Sequence, residues 1–107
     1  AVNDNITVSG CKSTYKEVSF RTAMEKTERN EVLLEKVNEI FKRNDLPTLI
    51  ARCAAGGSDA ADMSSYGIPT LDSLGVRGQN MHSPSEFTYI SSLTESAKIL
   101  GLIAMEI

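Results

Sequence analysis

His82 is the only histidine in this chain, and it stands in the polar stretch "VRGQNMHSPSEF" with Glu86 four residues further on. An imidazole titrates near neutral pH and is a common metal ligand, so this position suits acid–base work or metal ligation; the plain alternative is a solvated side chain with no role. As a metal site of its own it is short of donors. Zinc takes three or four protein ligands, there is no second histidine, and Glu86 adds at most one. A serine-hydrolase centre assembled from His82, Ser58, Ser83 and Asp72 lacks the G-x-S-x-G elbow that would expose the nucleophile.

A second chemical feature is Gly56-Gly57-Ser58-Asp59. Its place between an apolar β-branched run and a stretch of small residues predicts a strand-to-helix turn. Such a turn offers free backbone N–H groups and the positive end of a helix dipole to a carboxylate or phosphate. The plain alternative is a tight βα turn with a capping side chain. Neither G-x-G-x-x-G nor the P-loop lysine pattern is present.

These features need elements to position them. "NITVSG" and "STYKEVSFRTA" are rich in β-formers and predict two strands flanking a turn at Gly10. From Thr27 the period changes. "TERNEVLLEKVNEIFKRND" puts Val32, Leu33, Val37, Ile40 and Phe41 on one helical face, with Thr27 as cap, Glu28 and Glu31 at the start, Lys42 and Arg43 at the end, and Asp45-Leu46-Pro47 as the stop. "TLIARCA", Thr48 to Ala54, predicts a buried strand running into the glycine pair. "SDAADMSSYG" predicts a short helix capped by Ser58 or Asp59 and ended by Gly67. "PTLDSLG" predicts a second buried strand, and "EFTYI" a short extended piece after the polar loop. Ser92-Leu93-Thr94-Glu95 has the form of a capping box, and "SAKILGLIAMEI" is apolar enough to pack as a helix. The order β-β-α-β-α-β-loop-α favours an α/β layer with a right-handed βαβ unit.

Composition narrows the partners. The 107 residues carry a formal charge of −3, which lacks the clustered Lys and Arg that a nucleic-acid backbone requires. No apolar run approaches the ~20 residues of a membrane span, so neither nucleic acid nor membrane is expected. Cys11 and Cys53 form no C-x-x-C or zinc-finger spacing and read as free thiols in a reducing cytoplasm.

Taken together and in order, "GGSDAADMSSYGIPTLDSLGVRGQNMHSPSEFTYISSLTESAKIL" resembles the C-terminal part of the catalytic domain of the dizinc exopeptidases and deacylases. This is metallopeptidase family twenty, which includes glutamate carboxypeptidase, peptidase T, acetylornithine deacetylase and succinyl-diaminopimelate desuccinylase. The resemblance is specific over residues 56–107 and looser over residues 1–55. It implies an α/β fold: a partial zinc-exopeptidase layer of the phosphorylase/hydrolase-like kind, a short mixed sheet with about three helices. Residues 1–26 are then a strand and hinge returning from a lid domain, and residues 27–107 the C-terminal portion of the catalytic domain.

The resemblance implies further that His82 binds one zinc of a co-catalytic pair, and that Gly56, Gly57 and Ser58 face the substrate. Asp59 then holds the loop and helix start, and Glu86 supports the ligand or fixes its loop. The family's other metal ligands and its Glu-Glu pair have no counterpart here. The expectation is therefore a fragment of a zinc-dependent peptidase or amidohydrolase acting on a peptide or N-acyl amino acid, inactive and weakly metal-binding alone, with a risk of self-association through bare strand edges. Two other classes stay open: a stand-alone anion- or nucleotide-binding module using the glycine loop, and an interaction domain whose histidine is idle.

Overall fold

A computed structural model describes residues 9–11 and 14–107. Among them lie three helices, α1 Glu28–Arg43, α2 Ala60–Ser65 and α3 Ile90–Glu106, and an antiparallel pair of two-residue strands, β1 Gly78–Gln79 and β2 Phe87–Thr88. The fold is thus a small mixed α/β arrangement, with extended chain between the helices.

The first helix forms where the sequence signals it. The Thr27 side chain accepts from the Asn30 N–H at 3.3 Å, and acidic and basic residues occupy opposite ends as the dipole prefers. At the other end Leu46 N–H reaches the Phe41 carbonyl and Asp45 N–H the Lys42 carbonyl, with Asp45 at φ 55°. This is a Schellman ending with aspartate in the left-handed position. Val37, Ile40 and Phe41 are buried, and Leu33, Leu46, Leu49, Leu71, Ile99, Leu102 and Ile103 pack around them. Val32, expected on that face, is exposed. It lies roughly 140° round the helix from Val37, at the rim of the stripe.

The buried polar position on α1 is Asn30. Its Nδ2 donates to Ser64 Oγ at 2.9 Å and to the Glu25 carbonyl at 3.3 Å, and its Oδ1 accepts from Thr70 N–H at 2.9 Å. One amide thereby joins α1, α2 and the extended chain after Pro69. A buried amide with these partners meets its own hydrogen-bonding demand while ordering three segments. Asn38 treats Leu49 similarly: Oδ1 accepts from its N–H at 2.7 Å, and Nδ2 donates to its carbonyl at 3.1 Å.

The expected strands differ from the observed structure. Thr48–Ala54 is extended without a β ladder and is exposed apart from half-buried Leu49, and Pro69–Leu74, broken by Ser73 at φ 63°, carries no ladder either. Residues 14–23 are likewise extended and exposed, and residues 5–8 of the predicted first strand lie outside the described residues. The Gly10 turn is present, with φ 84°. β-branched composition makes a segment ready to pair, but a strand exists only when another backbone faces its N–H and C=O groups. Among the described residues none does so along these segments, and the βαβ unit is accordingly absent there.

The last helix begins earlier than the capping-box spacing suggests. Tyr89 is its N-cap, without a side-chain cap bond, and Ser92 sits inside the first turn. Its inner face packs Ile99, Leu102 and Ile103 against α1, while Ile90, Leu93, Leu100 and Ile107 point away and are exposed. At the far end the Glu106 carboxylate receives Arg43 Nη2 at 3.0 Å and Asn44 Nδ2 at 3.1 Å.

Those hydrogen bonds, Arg43's first and Asn44's second, hold Glu106 below the ordinary glutamate range. A carboxyl whose pKa is depressed by folding adds stability above its unfolded pKa and loses it as pH falls through the folded value. At neutral pH Glu106→Gln should therefore unfold at a lower temperature than the parent chain. Below the carboxylate range the two melts should coincide, and a difference that persists in acid would exclude this linkage.

Candidate functional site

The histidine sits at the tip of a hairpin. β1 and β2 pair in the register Gly78 with Thr88 and Gln79 with Phe87, and Tyr89 N–H donates to the Arg77 carbonyl at 2.9 Å to close the base. Between the strands, residues 80–86 form a loop tied by its own polar groups. Ser83 Oγ donates to the Asn80 carbonyl at 2.7 Å, Asn80 Nδ2 donates to the Ser85 carbonyl at 3.3 Å, and Glu86 N–H donates to the Ser83 carbonyl at 3.0 Å.

His82 itself has φ 64°, the left-handed region, which costs an L-residue about 1 kcal/mol. Its backbone N–H donates to Glu86 Oε2 at 3.2 Å, so the i, i+4 acid holds the strained backbone. No hydrogen bond to the imidazole occurs among the described residues, and the side chain is exposed. Among the described residues, then, neither ring nitrogen has a hydrogen-bond partner. Ser83 and Asp72 spend their oxygens elsewhere, Ser83 on Asn80 and Asp72 on the Ser73 N–H. Among the described residues no Ser–His hydrogen bond forms, so the serine-nucleophile arrangement is not assembled there.

Glycine is required at Gly78: a Cβ there would collide with the Phe87 backbone carbonyl oxygen across the hairpin. Gly78→Ala should cost about 1–3 kcal/mol, the usual penalty for overpacking against atoms that cannot yield. Slow amide exchange at Tyr89 should be lost with it. Unchanged exchange at Tyr89 would show that the hairpin absorbs the methyl group.

The glycine loop is built differently from the hairpin. Gly56 and Gly57 are exposed, have open space where a Cβ would stand and do not adopt a positive φ. Ser58 caps α2: its Oγ accepts from Ala60 N–H at 3.1 Å and its carbonyl from Ala61 N–H at 3.1 Å. Asp59 has helical φ and ψ and makes no side-chain cap bond. Instead it pairs with Arg21 Nη1 at 2.8 Å, so its carboxylate holds the incoming extended segment and the helix start rests on Ser58. Gly67, at φ 82°, ends α2 as expected: its N–H meets the Ser64 carbonyl and the Ile68 N–H meets the Met63 carbonyl.

His82 and Glu86 are therefore joined, and Ser58 and Asp59 share a loop, but among the described residues no hydrogen bond or ion pair links the hairpin tip to that loop. A cleft of about 550 Å³ lies elsewhere, between the extended chain near Thr22 and the ends of α1 and α2. The sequence reading missed Arg21 and gave Ser92 a different role, that of a helix cap. Arg21 is 38 residues from its partner, and nothing local marks it. Ser92 does carry a signal, because it lies on the same helical face as Ile99 and Ile103, where a hydroxyl must find a partner.

No group of three or more His, Cys, Asp or Glu side chains that could hold a metal ion stands together among the described residues. Cys11 and Cys53 are exposed free thiols. None of the helices is long and apolar enough to cross a membrane among the described residues.

Comparison with curated proteins and with solved structures returned no match to this chain. A family model does match, that of peptidase family M20/M25/M40, and it aligns with residues 6–106. The match takes in the helix α1, the capped glycine loop, the hairpin and all of α3, so its extent alone decides the relationship: this chain belongs to peptidase family M20/M25/M40.

Proposed function

We propose that this chain is the C-terminal portion of the catalytic domain of a zinc-dependent exopeptidase or deacylase, in which His82 is one metal ligand. The observation that carries the reading is the exposed imidazole, without a hydrogen bond among the described residues, raised on a hairpin whose backbone is fixed by Glu86. One imidazole fits zinc as a contributor to a ligand set, not as the whole of one. The remaining ligands and the general base come from chain outside these 107 residues. When bound, zinc supplies Lewis-acid polarisation of the amide carbonyl and a water acidic enough to attack at neutral pH.

The residues here do the positioning. Glu86 holds the His82 backbone. Ser58 fixes the start of α2, and Asp59 next to it pairs with the Arg21 guanidinium. The exposed Gly56-Gly57-Ser58 backbone offers N–H donors that suit a substrate carboxylate, in keeping with a peptide or N-acyl amino acid as substrate, the class handled by glutamate carboxypeptidase, peptidase T, acetylornithine deacetylase and succinyl-diaminopimelate desuccinylase. Residues 1–26 serve as the strand and hinge from a lid domain and residues 27–107 as the catalytic portion. The exposed apolar face of α3 and the unpaired segment Thr48–Ala54 support this, since both are surfaces that further chain would cover. The same surfaces favour self-association of the isolated chain in a reducing, cytoplasmic setting, and a monomer by light scattering at high concentration would count against it.

The test is hydrolysis of dipeptides and N-acyl amino acids by the peptidase that contains this chain, with metal stripped by a chelator and zinc restored. Activity should disappear and return, and the 107-residue chain alone should give none. Chelator-resistant hydrolysis, or turnover by the isolated chain, would overturn the proposal.

A further inference from the structure

The hydroxyl of Ser92 stands at the base of the hairpin whose tip carries His82. Ser92 is 1% exposed, the most buried polar residue in the described chain. Its Oγ accepts from Arg77 N–H at 3.0 Å and donates to the Tyr89 carbonyl at 2.6 Å. Arg77 directly precedes β1, and Tyr89 directly follows β2. Tyr89 is also the N-cap of α3, so one leg runs directly into the helix, and the Ser92 side chain ties the other leg to it through Arg77. The outer side of the same junction is closed by the Arg77–Glu95 ion pair, and Gln79 Nε2 donates to the Tyr89 hydroxyl at 3.2 Å.

A two-stranded hairpin this short has marginal stability by itself. Its orientation must be set by what it is fastened to, and the fastening is a buried hydroxyl with two partners rather than apolar packing, since Gly78, Gln79, Phe87 and Thr88 are all exposed. The tip also holds two residues in the left-handed region, Asn80 at φ 58° and His82 at φ 64°. Strained conformations persist only where surrounding bonds over-determine them.

We propose that Ser92 is a positioning residue for His82: by stapling the Arg77 leg of the hairpin to α3, into which the other leg runs, it determines where the imidazole stands. The inference rests on the reading of His82 as a metal ligand for its functional consequence, but the staple itself is testable without metal. Ser92→Val and Ser92→Thr have the same volume and differ in the hydroxyl, so comparing them separates the hydrogen bonds from packing. In the 107-residue chain, Ser92→Val should speed amide exchange at Arg77 about tenfold, the effect of one lost hydrogen bond. It should also alter the N–H to Hα coupling of His82, while Val37, Ile40 and Phe41 keep the parent exchange rates. Ser92→Thr should stay close to the parent in both.

The unmutated chain gives a check that needs no variant and stands even if both variants fail to fold. The Arg77 and Tyr89 amides should exchange at least about tenfold more slowly than those of Met81 and Ser85 at the tip. Equal exchange at base and tip, or an unchanged Arg77 amide in Ser92→Val, overturns the staple. In the zinc-loaded peptidase, Ser92→Val should lower kcat by about 10–100-fold with KM nearly constant, as for groups that orient a metal ligand, and Ser92→Thr should recover it. A separate His82→Ala variant with undiminished zinc content would reject the ligand reading and leave the exchange results to judge the staple on their own.

Discussion

Replacing His82 with alanine should reduce both the zinc content and the amide hydrolysis of the peptidase by at least about 100-fold. The size follows from comparison: changing groups that merely orient a ligand already costs 10–100-fold in affinity or activity, and removal of the ligand itself must cost no less. The effect should be local. His82 is exposed, its imidazole makes no hydrogen bond among the described residues, and Glu86 holds the backbone N–H, which alanine retains. Alanine at φ 64° bears the same backbone strain as histidine, so thermal unfolding of the variant should stay within about 0.5 kcal/mol of the parent. Zinc measured by elemental analysis, beside kcat and KM on one substrate, reads the outcome. Full zinc content with parent-like turnover would remove His82 from the metal site.

Phe41→Ala should be the most destabilising single change in the described core, by about 3–5 kcal/mol. Phe41 is 2% exposed and belongs to the three-residue cluster Val37, Ile40 and Phe41, against which α3 and the extended segments pack. Truncation loses transfer free energy and leaves a cavity that Leu49 and Ile99 can only partly fill. Small domains have only about 5–15 kcal/mol of stability in total. The change should therefore take away a large part of it and uncouple α1 from α3. Urea unfolding followed by circular dichroism provides the measurement. A midpoint shift equivalent to less than about 1 kcal/mol would mean that the cluster does not organise the fold.

The parts of the fold legible in the sequence are those decided within one or two helical turns. Thr27, the acidic start, the Lys42-Arg43 end and the Asp45 stop define α1 because each acts on a neighbour no more than about five residues away. Gly67 ends α2 for the same reason. The i, i+4 relation of His82 and Glu86 is local too, and the structure turns that spacing into a hydrogen bond. The parts misread are those in which the partner is remote. Ser92-x-x-Glu95 has the form of a capping box, yet Ser92 bonds to Arg77, 15 residues earlier, and Glu95 pairs with the same arginine. Of the two caps the sequence offers α2, Ser58 serves, and Asp59 is claimed by Arg21, 38 residues earlier.

By itself, then, the sequence determined the helices, the caps of α1, the glycine end of α2, the polar loop that isolates one imidazole, and the ordered motifs shared with its family. Each of these depends on residue type and short-range geometry, which a linear pattern contains. Only the tertiary structure decided that Thr48–Ala54 is extended without a ladder, that Asn30 joins three segments, and that a buried serine fastens the histidine hairpin to α3. Hydrogen-bond partners distant in the chain are chosen by which backbones and side chains reach the same small volume, and every alternative leaves a buried donor or acceptor unpaired. No local spacing encodes that choice.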